Sequence, residues 1–136
     1  MMRNAIYTIY NGTEYRIFRN RYGKYILVSH DKKDESKGFI KEDEQDEIYL
    51  KEVTSSEVGE VYDISPYAIY KGHRFGINSE NETDYYLGTG DTALAKALGF
   101  EMIDREVYRK WVPKEDMEKV YEVKTPMPNF FKWWFL

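Results

Sequence analysis

YTIYNGTEYRI, Tyr7 to Ile17, returns 60 residues later as YAIYKGHRFGI, Tyr67 to Ile77. The likeness continues from KYILVSHD (Lys24 to Asp31) to DYYLGTGD (Asp84 to Asp91). It resumes, at an offset of 59, from IYLKEVTSSEVGEVY (Ile48 to Tyr62) to VYRKWVPKEDMEKVY (Val107 to Tyr121). A fixed internal period is the signature of a chain assembled from repeated supersecondary units. Residues 1–65 read as a first β unit, 66–126 as a second, and 127–136 as an aromatic C-terminal tail. Only Ser65 separates Ile64 from Pro66, which leaves no room for a flexible linker. Units of this size bury too little surface to be comfortable alone, so the two are expected to pack as one rigid body.

Within each unit the elements follow from alternation and turn chemistry. Asn11-Gly12 lies between two alternating runs, and Lys71-Gly72 stands in its place in the second unit. Such dipeptides signal a two-residue hairpin turn, because both central residues need positive φ. A third strand is predicted over Tyr25 to Ser29. Comparing the copies, Tyr7/Tyr67, Ile9/Ile69, Tyr15/Phe75, Ile17/Ile77, Tyr25/Tyr85 and Leu27/Leu87 keep their apolar character and share one parity. They are the expected core. Tyr10 and Tyr70 also match but fall off phase, marking either a bulge or a second apolar face.

After the third strand the copies diverge. The first carries the polar run Lys32 to Glu47, read as a solvated loop. The second carries DTALAKALG, with Asp91 as N-cap and Gly99 as stop, predicting a short helix near 91–98. Both then resume Gly-Phe (Gly38-Phe39, Gly99-Phe100) and a strand, Ile48 to Val53 or Val107 to Val112. One helical turn follows, signalled by the Thr54 to Glu57 capping box and by Pro113. Val61 to Ile64 and Val120 to Val123 close the units as short strands.

KWVPKEDMEKVYEV, Lys110 to Val123, resembles the strand, helical turn and last strand that end SH3 domains. The resemblance implies a mainly β protein made of two small SH3-like barrels in tandem. The tight Asn11-Gly12 turn stands where SH3 domains carry a long first loop, so the likeness implies a fold and no proline-rich peptide site.

Composition narrows function by exclusion. The chain has 136 residues, no cysteine and a net charge of -4, which removes disulfide frameworks, thiol nucleophiles and thiolate metal sites. MMRNAIYTIY lacks the pattern of a signal peptide and no apolar run approaches a membrane span, so a cytoplasmic protein with no membrane partner is expected. Neither His30 nor His73 recurs in the other copy, and no serine has a nucleophile's setting. His30-Asp31 remains only a candidate acid/base pair. Gly88-Thr-Gly90-Asp-Thr92-Ala93 spells G-x-G-x-x-A between a strand and a helix, but a meander is no parallel βαβ unit, so no cofactor is expected. The Gly88 to Thr92 turn is left as a small-molecule or anion alternative. The cluster Asp43, Glu44, Asp46 and Glu47 lacks the spacing and central glycine of a calcium loop, and no metal is expected.

Two surfaces remain. Arg16, Arg19, Arg21 and Lys24 interleave with Tyr15, Phe18, Tyr22 and Tyr25, a mixture that single-stranded nucleic acid uses, though four charges are a small footprint and an acidic run follows. The alternative reading they carry is a nucleic-acid or ribosome-associated tandem barrel; nucleic acid is not the favoured partner. Phe130, Phe131, Trp133 and Trp134 in the tail suit a cap on the fold, a homodimer contact or a partner site. In size, mild acidity and lack of cysteine the chain resembles the small immunity proteins of bacterial toxin systems. That likeness implies a non-enzymatic binding module that neutralises a basic toxin. Glu42, Asp43, Glu44, Asp46 and Glu47 would supply the charge and Tyr49 the anchor.

Overall fold

A computed structural model of the chain describes residues 2–132. The described chain is mainly β. In order it forms β1 (Ala5–Tyr10), β2 (Thr13–Arg19), β3 (Tyr25–Ser29), β4 (Ile40–Lys41), β5 (Tyr49–Val53), β6 (Val61–Tyr70), β7 (His73–Glu80), β8 (Asp84–Thr89), the helix α1 (Thr92–Leu98), β9 (Glu101–Asp104), β10 (Val107–Pro113) and β11 (Lys119–Pro126). Short 3₁₀ segments occupy Lys32–Lys37, Ser55–Glu57 and Lys114–Asp116. Two compact units result. One comprises Ala5–Asp63 with the described residues from Thr125 onward; the other comprises Ile64–Lys124 with the described residues before Ala5.

In the first unit the strands are antiparallel in the order β4-β5-β3-β2-β1. Asn11 and Gly12 adopt φ of 49° and 77°, the left-handed pair that a type I′ turn demands. That turn pairs Tyr10 with Thr13, Ile9 with Glu14 and Thr8 with Tyr15. Opposed residues share a face, so an even residue of β1 lies beside an odd residue of β2. The expected core therefore changes on β1 and, by the same Lys71-Gly72 geometry, on β6. Thr8 and Ala68 are fully buried and Tyr70 is buried, whereas Tyr7, Ile9, Tyr67 and Ile69 lie on the opposite face. Tyr10 and Tyr70 are in phase after all. Thr8 is tolerated inside because its hydroxyl proton is shared between the Glu60 carbonyl at 2.9 Å and the Gly59 carbonyl at 3.2 Å.

Tyr15, Ile17, Leu27, Phe39, Tyr49, Val53 and Val61 form the core of this unit. The end of the chain belongs to it too. Met127, Phe130 and Phe131 pack on the cluster, with the Phe131 ring edge-on to Tyr25 at 4.6 Å, and the Met127 amide bonds to the Val61 carbonyl at 2.8 Å. Two of the tail's four named rings are thus engaged by their own chain. Trp133 and Trp134 lie outside the described residues.

The second unit has the order β9-β10-β8-β7-β6, with β11 on the other side of β6. Its core is Ala68, Tyr70, Phe75, Ile77, Leu87, Ala95, Phe100, Tyr108 and Val112. The helix forms as predicted: the Asp91 carboxylate accepts from the Leu94 amide, Gly99 ends it at φ 76°, and Lys110 Nζ donates to the Leu98 carbonyl at 2.9 Å. The closing strand expected over Val61 to Ile64 does not end there: β6 runs unbroken through Ser65 and Pro66 from Val61 to Tyr70. Proline lacks only a donor, and a strand accepts it where no ladder bond is needed at that amide.

Hydrogen bonds recur at matching places. Gly59 N to Ile9 O (2.9 Å) has its counterpart in Glu118 N to Ile69 O (2.8 Å), and Phe39 N to Asp34 O (3.3 Å) in Phe100 N to Ala95 O (2.8 Å).

The revised faces are testable by chemical denaturation. Leu27→Ala and Leu87→Ala should each cost about 2–5 kcal/mol, while Ile9→Ala and Arg16→Ala should each stay within about 1 kcal/mol. An Ile9 effect equal to the leucines would reverse the assignment. The chain ends give a second test. A fragment 1–65 lacks the Met127, Phe130 and Phe131 that finish its core, so it should show no cooperative melting by circular dichroism, unlike the whole chain. A cooperative transition in that fragment would show that those three side chains are dispensable.

Candidate functional site

The run Lys32 to Glu47 divides into a built half and an exposed half. Asp31 starts the built half by accepting from the Lys33 amide at 2.9 Å, and Gly38 ends it at φ 94°. Asp34 points inward from this 3₁₀ segment and is buried. Its carboxylate accepts from the Tyr15 hydroxyl at 2.8 Å and from the Ser29 hydroxyl at 2.6 Å, with Lys37 Nζ at 3.4 Å. Burial pushes the carboxyl upward, but the bonds from Ser29, Tyr15 and Lys37 outweigh it and hold Asp34 below the ordinary carboxylate range. The Tyr15 hydroxyl is pushed up by burial and by this neighbouring carboxylate.

Phe39 follows, buried against Tyr15 with ring centroids 4.9 Å apart. It delivers the chain to β4, where Ile40 pairs with Leu50 and Lys41 with Tyr49. A last bond, Glu42 N to Ile48 O at 2.9 Å, closes the base of a hairpin. Residues 42–47 form its tip, and every one of them is exposed. Only this half of the run is the solvated loop that its charge pattern predicts.

The predicted site residues thus separate. Glu42, Asp43, Glu44, Asp46 and Glu47 come together at the tip. Tyr49 does not join them: its pairing with Ser29 turns it inward, and at 2% exposure it is a core residue and no surface anchor. Ile40, on the edge strand at the foot of the tip, is the exposed apolar side chain there, at 74%. His30 is exposed, with Nδ1 3.3 Å from the Glu47 carbonyl oxygen, and the cleft beside it is lined by Thr13, Glu14, Arg16, Ser29, Asp31 and Asp34, the Ser29 hydroxyl being given to the Asp34 carboxylate. Beside the Gly88 to Thr92 turn, the Leu94 amide donates to the Asp91 carboxylate at 3.0 Å and the Asp91 amide to the Thr89 hydroxyl at 3.1 Å.

The Tyr15-Asp34-Ser29 set escaped the reading of the sequence, although the two copies carry its trace. Tyr15 stands where the second unit has Phe75, and Asp34, counted back from Gly38-Phe39, stands where it has Ala95. A hydroxyl and a carboxylate gained together at two core positions form a bonded pair.

Residues 2–129 match the family described as Uncharacterised conserved protein UCP033725. The chain belongs to this family. The family match runs through both units, the Asp34 set and the acidic tip. No curated protein and no solved structure matches the chain.

Because the Asp34 carboxyl is held below its unfolded value, its contribution is present above the ordinary carboxylate range and lost as pH falls through the lowered value. Asp34→Asn removes that titration. The fall in melting temperature between neutral pH and about pH 3 should therefore be smaller in Asp34→Asn than in the wild type. Glu57, Glu80 and Glu122, also lowered by bonded donors, keep some acid dependence in both. Tyr15→Phe should cost about 1–2 kcal/mol at neutral pH by leaving the carboxylate one donor short.

Proposed function

We propose that this chain is a non-enzymatic protein-binding module of the bacterial cytoplasm, built as a tandem repeat of two SH3-like units. Its acidic tip docks a basic protein, as an immunity protein neutralising a toxin would. The repeat reading draws support from the I′ turns at Asn11-Gly12 and Lys71-Gly72 and from the recurring hydrogen bonds. The 3₁₀ turns between β5 and β6 and between β10 and β11 support the SH3-like part of this reading, since such a unit carries a turn of this kind before its last strand.

The observation that carries the binding reading is the contrast within one hairpin. Its foot is fixed by the buried Asp34 and Phe39 and by the Glu42 to Ile48 bond, while its tip presents five carboxylates to solvent. A charged tip on a fixed stalk steers encounter with a basic surface and loses little conformational freedom on docking. The exposed Ile40 beside it offers an apolar contact of the kind that slows dissociation. Phosphate backbones would be repelled here.

The product of the neighbouring gene, purified and immobilised, is the partner to test. Reversal of Asp43, Glu44, Asp46 and Glu47 to lysine should leave the fold unchanged and slow association about tenfold or more at low salt, the difference shrinking as salt rises. Ile40→Ser should speed dissociation and leave association alone. Equal association rates for wild type and the reversed variant would remove the tip from the interface.

A further inference from the structure

We propose that the outward sheet face of the second unit is a stacking platform for single-stranded nucleic acid. The face is defined by register. Val112, Leu87, Ile77 and Phe75 point into the core, so their strand neighbours Trp111, Tyr86, Gly88, Gly76 and Arg74 point away from it. Trp111 and Tyr86 are paired across β10 and β8 and stack with centroids 4.7 Å apart and planes inclined by 24°. Tyr86 covers one side of the indole, yet Trp111 is still 45% exposed. The fold does not require a ring there, because the matching position of the first unit is Glu52.

The next row holds a guanidinium laid flat on bare backbone. Arg109 is opposite Gly88, and a Cβ at that glycine would lie 2.6 Å from Nη1. The Asn78 carboxamide lies against Nε and Nη2, which its oxygen accepts from when the amide is assigned by hydrogen bonding, and the Tyr108 carbonyl accepts from Nη1 at 3.1 Å. The first unit has Val28 in place of Gly88, which would bar this arrangement. One row further, Arg74 is exposed and lies 3.7 Å over the ring of Tyr67, which in turn stacks on Tyr121. Lys119 sits 5.0 Å over Tyr121. Between these rows, Asn4, Tyr67, Gly76 and Asn78 line a cleft of about 170 Å³ that has no carboxylate in its wall.

Cations and ring faces therefore alternate on one surface. A sugar would use the rings and leave the cations idle, and an acidic peptide would use the cations and leave the rings idle. A duplex keeps its bases stacked on each other. A single strand uses both, with phosphates at Arg74 and Lys119, away from the exposed Glu101 that stands opposite Arg109 at the β9 edge, and unstacked bases on Trp111. This surface is independent of the acidic tip, and either proposal can fail without the other.

The test is fluorescence anisotropy of the whole chain with a labelled oligothymidylate of about fifteen nucleotides at low salt. A duplex of equal length and polyglutamate serve as competitors. The single strand should bind, weaken with salt and resist both competitors. Trp111→Ala and Arg74→Ala should each weaken it about tenfold with circular dichroism unchanged, and Trp111→Phe should retain most of the affinity. No binding, binding unaffected by both alanine variants, or equal displacement by polyglutamate would each overturn the proposal.

Discussion

Both units depend on a two-residue turn that forces a residue other than glycine to positive φ. Asn11 and Lys71 each sit at 49°, a conformation an L side chain enters at a cost, and each is followed by a glycine at 77°. The gain is a unique register between the first two strands of each unit. Register then assigns every side chain of the meander to a face, because a slip of one residue would exchange the faces. Tyr15 meets Thr8 and Phe75 meets Ala68 for this reason, and the small inner partner makes room for the ring.

Onto that frame the first unit adds a buried carboxylate. Burying a charge is costly unless donors replace the water it loses, and Tyr15, Ser29 and Lys37 do so for Asp34. The second unit fills the same places with Phe75 and Ala95 and needs no such set. The difference has a use. A bonded carboxylate holds its segment in one direction as apolar contact does not, and this segment leads to β4 and the acidic tip.

The outward faces differ more than the cores. Core positions must fit each other, whereas outward positions are free of that constraint. Glu52 against Trp111 and Val28 against Gly88 are changes the fold tolerates on both sides of the comparison. The first unit also presents a carboxylate-rich tip, and the second lays Arg74 on Tyr67 and Trp111 on Tyr86.

Much was determined by the sequence alone. The three-strand meander that opens each unit, the helix α1, the I′ turns, the Asp91 and Gly99 caps and the exposed charge of 42–47 follow from spacing and local chemistry, which act within a few residues, whereas β4, β9 and the 3₁₀ segment Lys32–Lys37 carry no such signal. The parity of β1 and β6 was legible too, since a two-residue turn must pair even with odd, yet apolar identity at Ile9 and Tyr7 pointed the other way. Other features were decided only by the tertiary structure. Tyr49 is a core residue because β5 pairs with β3, and Met127 and Phe131 complete a core begun more than a hundred residues earlier. Asp34 is buried because Tyr15 and Ser29 arrive from two other strands. Arg109 lies flat because Gly88 is opposite it on the neighbouring strand. Each depends on groups distant in the chain, and contacts of that kind exist only once the strands have paired.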